Sequence, residues 1–271
     1  MKISNVFSSI LKPPDRFLSR LIGKGFGLKD VFTLVNLLGG VAGIILAMQG
    51  RTVDASYAVL LGFILGDSLD GAVARLTGHS NKFGSDFDTI TDHLAQCIAP
   101  AVIVAAHFYN YNIYLSCGLA FLIIAAGSIR HARNTAVPFS FPFCWKGLPR
   151  PIATMVIFAF LNGKIISVLP SPHLWGLGLI IGVSYGLLTD FPFVSHHGRK
   201  LQPWVVFIVT AAYAVSIVQG LFFRTWFWDT LLLFMSVYIF LGWIVLSRDE
   251  MKLYKEAVDL WREKLSGDGG N

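Results

Sequence analysis

The feature that most constrains this chain is a series of apolar segments, each near the ~20 residues that an α-helix needs to cross a hydrocarbon core. They fall at about residues 31–49, 55–75, 87–108, 113–131, 151–169, 174–190, 203–222 and 226–246, with short polar loops between them. In hydrocarbon every backbone N–H and C=O must find its partner within the chain, so such segments close as helices. Composition agrees: 54% of the 271 residues are apolar and 14% are charged, against about 25% charged in a soluble domain. A water-soluble globule and a disordered chain are both excluded. The expected fold class is all-α, a polytopic integral-membrane helical bundle of about eight transmembrane helices.

The net charge of +6 is not a nucleic-acid footprint, because the basic residues cluster in alternate loops rather than along one face. Of the 22 Lys and Arg, 19 fall in the N-terminal segment, alternate loops and the tail, leaving Arg51, Lys164 and Arg224 on the other side. The positive-inside rule then makes both termini cytoplasmic. Residues 1–30 mix Phe17, Leu18, Leu21 and Ile22 with Arg16, Arg20, Lys24 and Lys29 after Pro13-Pro14, which suits an interfacial amphipathic helix. The expected organisation is that cytoplasmic segment, a transmembrane domain over 31–246, and a cytoplasmic tail over 247–271 whose residues 251–265 form a surface helix. Cys97, Cys117 and Cys144 have no paired spacing, so no disulfide framework or metal knuckle is expected.

Acids inside membrane segments are costly and mark function. The second and third spans carry Asp67, Asp70, Asp88 and Asp92, with Asp86 beside them. Spacings of three and four residues put each pair on one helix face. A straight helix would hold residues 67 and 92 nearly ~40 Å apart, but Thr77-Gly78-His79-Ser80-Asn81 signals a turn. The two spans then run antiparallel, and the four carboxylates meet at the cytoplasmic boundary. Four such groups repel one another unless cations intervene. An all-oxygen cluster suits two hard divalent ions, Mg²⁺ or Mn²⁺, and with Arg75 it would clamp a pyrophosphate. Salt bridges to Arg75 and Lys82 alone leave five acids facing two bases.

The stretch DSLDGAVARLTGHSNKFGSDFDTITD, residues 67–92, resembles the signature of the CDP-alcohol phosphotransferase family, D-x₂-D-G-x₂-A-R-x₈-G-x₃-D-x₃-D, at all eight fixed positions. The resemblance implies a six-helix core and a reaction: a CDP-linked lipid donates its phosphoalcohol moiety to a second alcohol, and CMP leaves. By position, Asp67, Asp70, Asp88 and Asp92 would hold the two metals, and Asp92 would also be the general base for the incoming hydroxyl. Asp70, Gly71, Ala74, Arg75 and Gly84 would contact the cytidine nucleotide and its phosphates. VFTLVNLLGG resembles the family's T-x-x-N segment, which adds Thr33 and Asn36 to the donor site; helix capping and packing account for these two equally well. The family also implies a homodimer.

Further phrases resemble the phosphatidylserine synthase branch: FGSDFDTITDHLAQCIAPA, Arg130-His131-Ala132-Arg133-Asn134 and Gly147-Leu148-Pro149-Arg150-Pro151. This implies L-serine as acceptor, with Asp86, Arg130, Arg133 and Arg150 as acceptor-side residues and two arginines holding the serine carboxylate. Anionic lipid headgroups would suit the same arginines. The sequence departs from the branch at His93, Gln96 and Cys97, and at Arg150. Inositol phosphate, glycerol 3-phosphate and choline users share the core motif. From another class, a cation-coupled transporter would use intramembrane acids too, but it calls for acids at mid-span and an inverted repeat.

Gly39/Gly43 and Gly178/Gly182/Gly186 form small-residue ladders that let helices approach, within one chain or between chains. His196-His197 is expected to be a solvated loop, and Trp204, Trp226, Trp228 and Trp243 an interfacial aromatic belt.

Overall fold

The computed structural model describes residues 17–66, 81–195, 218–219 and 226–267. Asp67, Asp70, Gly71, Ala74, Arg75, the first 16 residues, His196, His197, Trp204 and almost all of the expected span 203–222 lie outside the described residues. In chain order the helices are α1 (Leu28–Met48), α2 (Thr52–Leu65), α3 (Lys82–Phe108), α4 (Ile113–Ala136), α5 (Arg150–Asn162), the single turn α6 (Lys164–Ser167), α7 (Pro172–Leu188), α8 (Phe227–Leu241) and α9 (Arg248–Ser266). Among the described residues four are long and apolar enough to cross a membrane: α1, α3, α4, and α8 with its 3₁₀ continuation to Val245. α2, α5 and α7 are apolar but shorter. Each of the seven expected spans other than 203–222 overlaps one of these helices, and the protein is a polytopic helical membrane protein. Its three cysteines are free.

The chain divides into two compact units, Met1–Ser116 and Cys117–Asn271. In the first, α1 and α2 form a hairpin across Gly50, whose φ of +74° suits glycine. Gly39 and Gly62 meet backbone to backbone; a Cβ on Gly39 would stand 2.6 Å from the Gly62 Cα. Gly43 faces Val59 and the Ala55 carbonyl, while Gly40 faces Leu94 and Ala95 of α3. The first glycine ladder therefore packs within the chain, against α2. Gly178 and Gly182 of the second have nothing within reach of an added Cβ among the described residues.

α3 is α-helical to His93, widens into a π turn over Leu94–Ile98, and resumes at Ala99. The cause lies two residues further on. Pro100 has no N–H to give, and in a regular helix its ring would collide with the Gln96 carbonyl. The wide turn, with the Ala99 N–H donating back to the Leu94 carbonyl, relieves that collision.

In the second unit, strands β1 (Cys144–Lys146) and β2 (Pro192–Val194) pair antiparallel, a small addition to the all-α expectation. The expected span 151–169 is interrupted at Gly163, between α5 and α6. There the buried carboxylate of Asp229, at the start of α8, accepts the backbone N–H groups of Lys164 (3.1 Å) and Ile165 (2.9 Å). This satisfies amides that an apolar setting would otherwise leave bare. Asp229 is an intramembrane acid that the sequence reading passed over.

The tail helix runs over Arg248–Ser266, slightly longer than expected, and opens with a Ser247/Glu250 capping box. Its buried face of Tyr254, Val258 and Trp261 is not solvated. Tyr254 and Val258 pack on Cys144, Phe139, Phe141, Phe143 and Leu246. Arg262 grips Asp190 at 2.6 Å, Lys146 reaches the same carboxylate at 3.4 Å, and the Lys146 ammonium lies 3.4 Å from the centre of the Trp261 ring. Burial alone would raise the Asp190 carboxyl, but the Arg262 hydrogen bond and the Lys146 charge outweigh it and hold it below the usual range. A depressed carboxyl stabilises the fold fully above its unfolded value, about 3.9, and that contribution is lost as pH falls through the lower folded value. Acidification to well below about pH 3.9 should therefore loosen α9 and red-shift the emission of Trp261. Asp190→Asn should do so at neutral pH, at a cost of about 1–3 kcal/mol, between the limits for exposed and buried pairs. Identical emission from the parent at both pH values would contradict this.

Candidate active site

α1 and α3 lie side by side and run in the same direction. Lys29 sits against Gly84, Asn36 bonds Asp92, and Gly40 meets Leu94 and Ala95. At the entrance, Asn81 caps α3 by accepting from the Gly84 N–H at 2.7 Å and donates to the Gly25 carbonyl, also at 2.7 Å. Phe26, Phe83 and Phe87 close the same end with ring centroids 6.1–6.4 Å apart. Asp30 accepts from the Gly27 N–H at 2.8 Å and so fixes the start of α1. A Cβ on Gly84 would stand 2.7 Å from both Asp30 Oδ1 and Lys29 Cε, so a larger residue there would have to push these two side chains aside.

Along this seam the side chains turn polar. Thr33, Asn36 and Thr91 are completely buried and Gln96 nearly so. Asn36 Nδ2 donates to Asp92 Oδ1 at 3.1 Å, and Gln96 Nε2 donates to the same oxygen at 2.8 Å. Asp88, one turn earlier on the same face, has a buried Oδ1 with no hydrogen-bond partner among the described residues; the Asn36 Oδ1 is buried and bare in the same way. An unmatched carboxylate oxygen is expensive to bury, and both atoms are hard oxygen donors of the kind that divalent cations take. The residues present thus fit a Mg²⁺ or Mn²⁺ site. No group of three or more acidic, His or Cys residues converges among the described residues, where Asp67 and Asp70 are not found. Asp86 is exposed, about 200° around the helix from Asp88.

The structure brings Thr33, Asn36, Gly84, Asp88 and Asp92 to one helix–helix seam. In the second unit Arg130 NH1 donates to the carbonyls of Lys146 (2.8 Å) and Leu187 (3.0 Å), and Arg133 NH1 donates to Leu188 (3.2 Å). The last carbonyls of α7 are thereby capped by cations, which also suits the negative end of its dipole. These bonds use one nitrogen of each guanidinium, which carries five N–H donors in all. Arg150 opens α5, just after the Gly147 turn at φ +68°. The sequence reading missed the bond from Gln96, although its spacing of four residues from Asp92 was visible.

A bundle of membrane-length helices with an oxygen-rich polar seam between two of them defines an integral-membrane protein with a cation-compatible acidic site. The model of the CDP-alcohol phosphatidyltransferase family matches residues 27–187, and the chain belongs to that family. It is 28% identical over 225 residues, 80% of its length and 91% of the relative, to the CDP-diacylglycerol–serine O-phosphatidyltransferase of Helicobacter pylori strain J99. It is 31% identical over 136 residues, 49% of its length and 57% of the relative, to the archaetidylserine synthase of Methanothermobacter thermautotrophicus. It is 28% identical over 167 residues, 60% of its length and 76% of the relative, to the CDP-diacylglycerol–serine O-phosphatidyltransferase of Methanocaldococcus jannaschii. The match covers the seam and α1–α7 up to the penultimate residue of α7; α8 and α9 lie beyond it.

Proposed function

We propose that the chain transfers the phosphatidyl group of a CDP-diacylglycerol-type lipid to the hydroxyl of L-serine. The serine oxygen forms a bond to the lipid-side phosphorus, the bond from that phosphorus to the bridging pyrophosphate oxygen breaks, and CMP leaves with that oxygen. The observation that carries this reading is the serine O-phosphatidyltransferase relative aligned over 91% of its own length. Asp67, Asp70, Asp88 and Asp92 would hold two divalent ions, Mg²⁺ or Mn²⁺, which when bound supply positive charge against the pyrophosphate. Asp92 takes the proton of the serine hydroxyl. Thr33, Asn36, Asp70, Gly71, Ala74, Arg75 and Gly84 receive the CDP moiety. The assignment of Asp86, Arg130, Arg133 and Arg150 to the acceptor rests on the sequence phrases alone. The charge asymmetry of the loops supports a cytoplasmic active site and cytoplasmic termini, and the family resemblance supports a homodimer.

The test is CMP release by purified protein from CDP-diacylglycerol with Mg²⁺ or Mn²⁺, comparing L-serine, inositol phosphate, glycerol 3-phosphate and choline. Serine-dependent release is expected. Release with another alcohol would overturn the acceptor, and release from an ether-linked donor alone would change the donor.

A further inference from the structure

Gln96 occupies a position where the chain departs from its branch, and its amide reaches Asp92. Its amide and that of Asn36 come from different helices and converge on one oxygen of Asp92, at 2.8 and 3.1 Å. Both donors are buried, Asn36 at 0% and Gln96 at 7% exposure. We infer that Gln96, together with Asn36, is a positioning residue that fixes the orientation of the Asp92 carboxylate for the reaction. The inference rests on the assignment of Asp92 to the reacting centre.

Two donors on one oxygen occupy both of its lone pairs. Turning the carboxylate about its Cβ–Cγ bond breaks both hydrogen bonds to a charged acceptor at once. The second oxygen, Oδ2, is therefore presented in a fixed direction. Neutral amides suit this task better than Lys or Arg: they orient the carboxylate without cancelling the charge that a cation or a proton needs. Gln96 lies inside the π turn Leu94–Ile98, so the widened backbone forced by Pro100 also carries the side chain that braces Asp92.

The experiment uses the full chain in mild detergent, with Gln96→Leu, Gln96→Glu and Asp92→Asn compared with the parent. CMP release gives kcat and KM, and electron paramagnetic resonance gives binding of Mn²⁺ alone. For Gln96→Leu, Mn²⁺ stoichiometry should be parental, KM for CDP-diacylglycerol should stay within about threefold, and kcat at saturating Mn²⁺ should fall about tenfold to a hundredfold, the scale set by a misplaced reacting group. Gln96→Glu, equal in size but placing a second carboxylate against Asp92, should fall further. A kcat within about twofold of the parent for Gln96→Leu would overturn the inference. So would a loss that excess Mn²⁺ reverses, or one matched by an equal fall in Mn²⁺ stoichiometry in both Gln96 variants, which marks a structural role. Undiminished CMP release by Asp92→Asn would instead remove the assignment beneath it.

Discussion

Asp88→Asn should abolish CMP release, by about a thousandfold or more, while leaving the fold intact. The substitution keeps the volume and removes one negative charge from a buried oxygen that has no hydrogen-bond partner among the described residues. Losing several kcal/mol of charge stabilisation from a metal site corresponds to roughly three powers of ten in rate. Stability should move in the opposite direction. Without divalent cation the parent keeps a buried charged oxygen with no hydrogen-bond partner among the described residues and the variant does not, so the metal-free variant should melt at the same temperature or higher. The rise in melting temperature that Mn²⁺ gives the parent should be absent from the variant. CMP release within about tenfold of the parent would sink the assignment of Asp88 to a metal.

Gly66→Ala should damage the same site from a distance. The added methyl would stand 2.5 Å from the Asn36 backbone nitrogen and 2.7 Å from its Cβ. Neither contact can be relieved by a side-chain rotation, because the backbone fixes both the Asn36 nitrogen and its Cβ. α1 and the end of α2 must part, and the Asn36 amide moves with them away from Asp92. Overpacking of this kind costs about 1–3 kcal/mol, and kcat should fall about tenfold or more as the bracing of Asp92 loosens. Gly178→Ala is the control. Its methyl would meet nothing within 4 Å among the described residues, so stability should rise slightly, by up to about 1 kcal/mol, from helix propensity. Melting curves and CMP release for the pair separate the two outcomes. Parental activity in Gly66→Ala would show that Asn36 need not stay where it is.

The two glycine ladders show what sequence carries and what it omits. Gly39/Gly43 and Gly178/Gly182 have the same spacing, which says only that a partner is able to come close. Which ladder meets one depends on the path of the chain: α2 returns directly along α1, and Gly62 supplies the matching notch. The acidic seam was legible because carboxylates in apolar segments stand out against their surroundings and their spacing fixes a helix face. The support of that seam was less visible. Gln96 and Asn36 are ordinary polar residues one by one, and the pair exists only once α1 and α3 lie parallel in register. The interruption of span 151–169 was hidden for another reason. Averaged over ~20 residues, Gly163 vanishes among apolar neighbours, and the acid that stabilises the bared amides lies 64 and 65 positions away in the chain. Arg130 and Arg133 were recognised as a pair, but their bonds to the end of α7 follow from where that helix stops.

α9 also has a bearing on how the protein is made. Trp261 and Arg262 follow every described apolar helix in chain order. They supply the ring over Lys146 and the guanidinium on Asp190, while Tyr254 donates to the Asp190 carbonyl at 2.8 Å. While the ribosome is still adding these residues, the apolar helices before them are already synthesised, yet the loops around β1 and β2 have no lid. The second unit is therefore completed only after every described apolar helix has been made. A nascent chain halted at Leu246 would keep its apolar helices but leave Lys146 and Asp190 without their α9 partners.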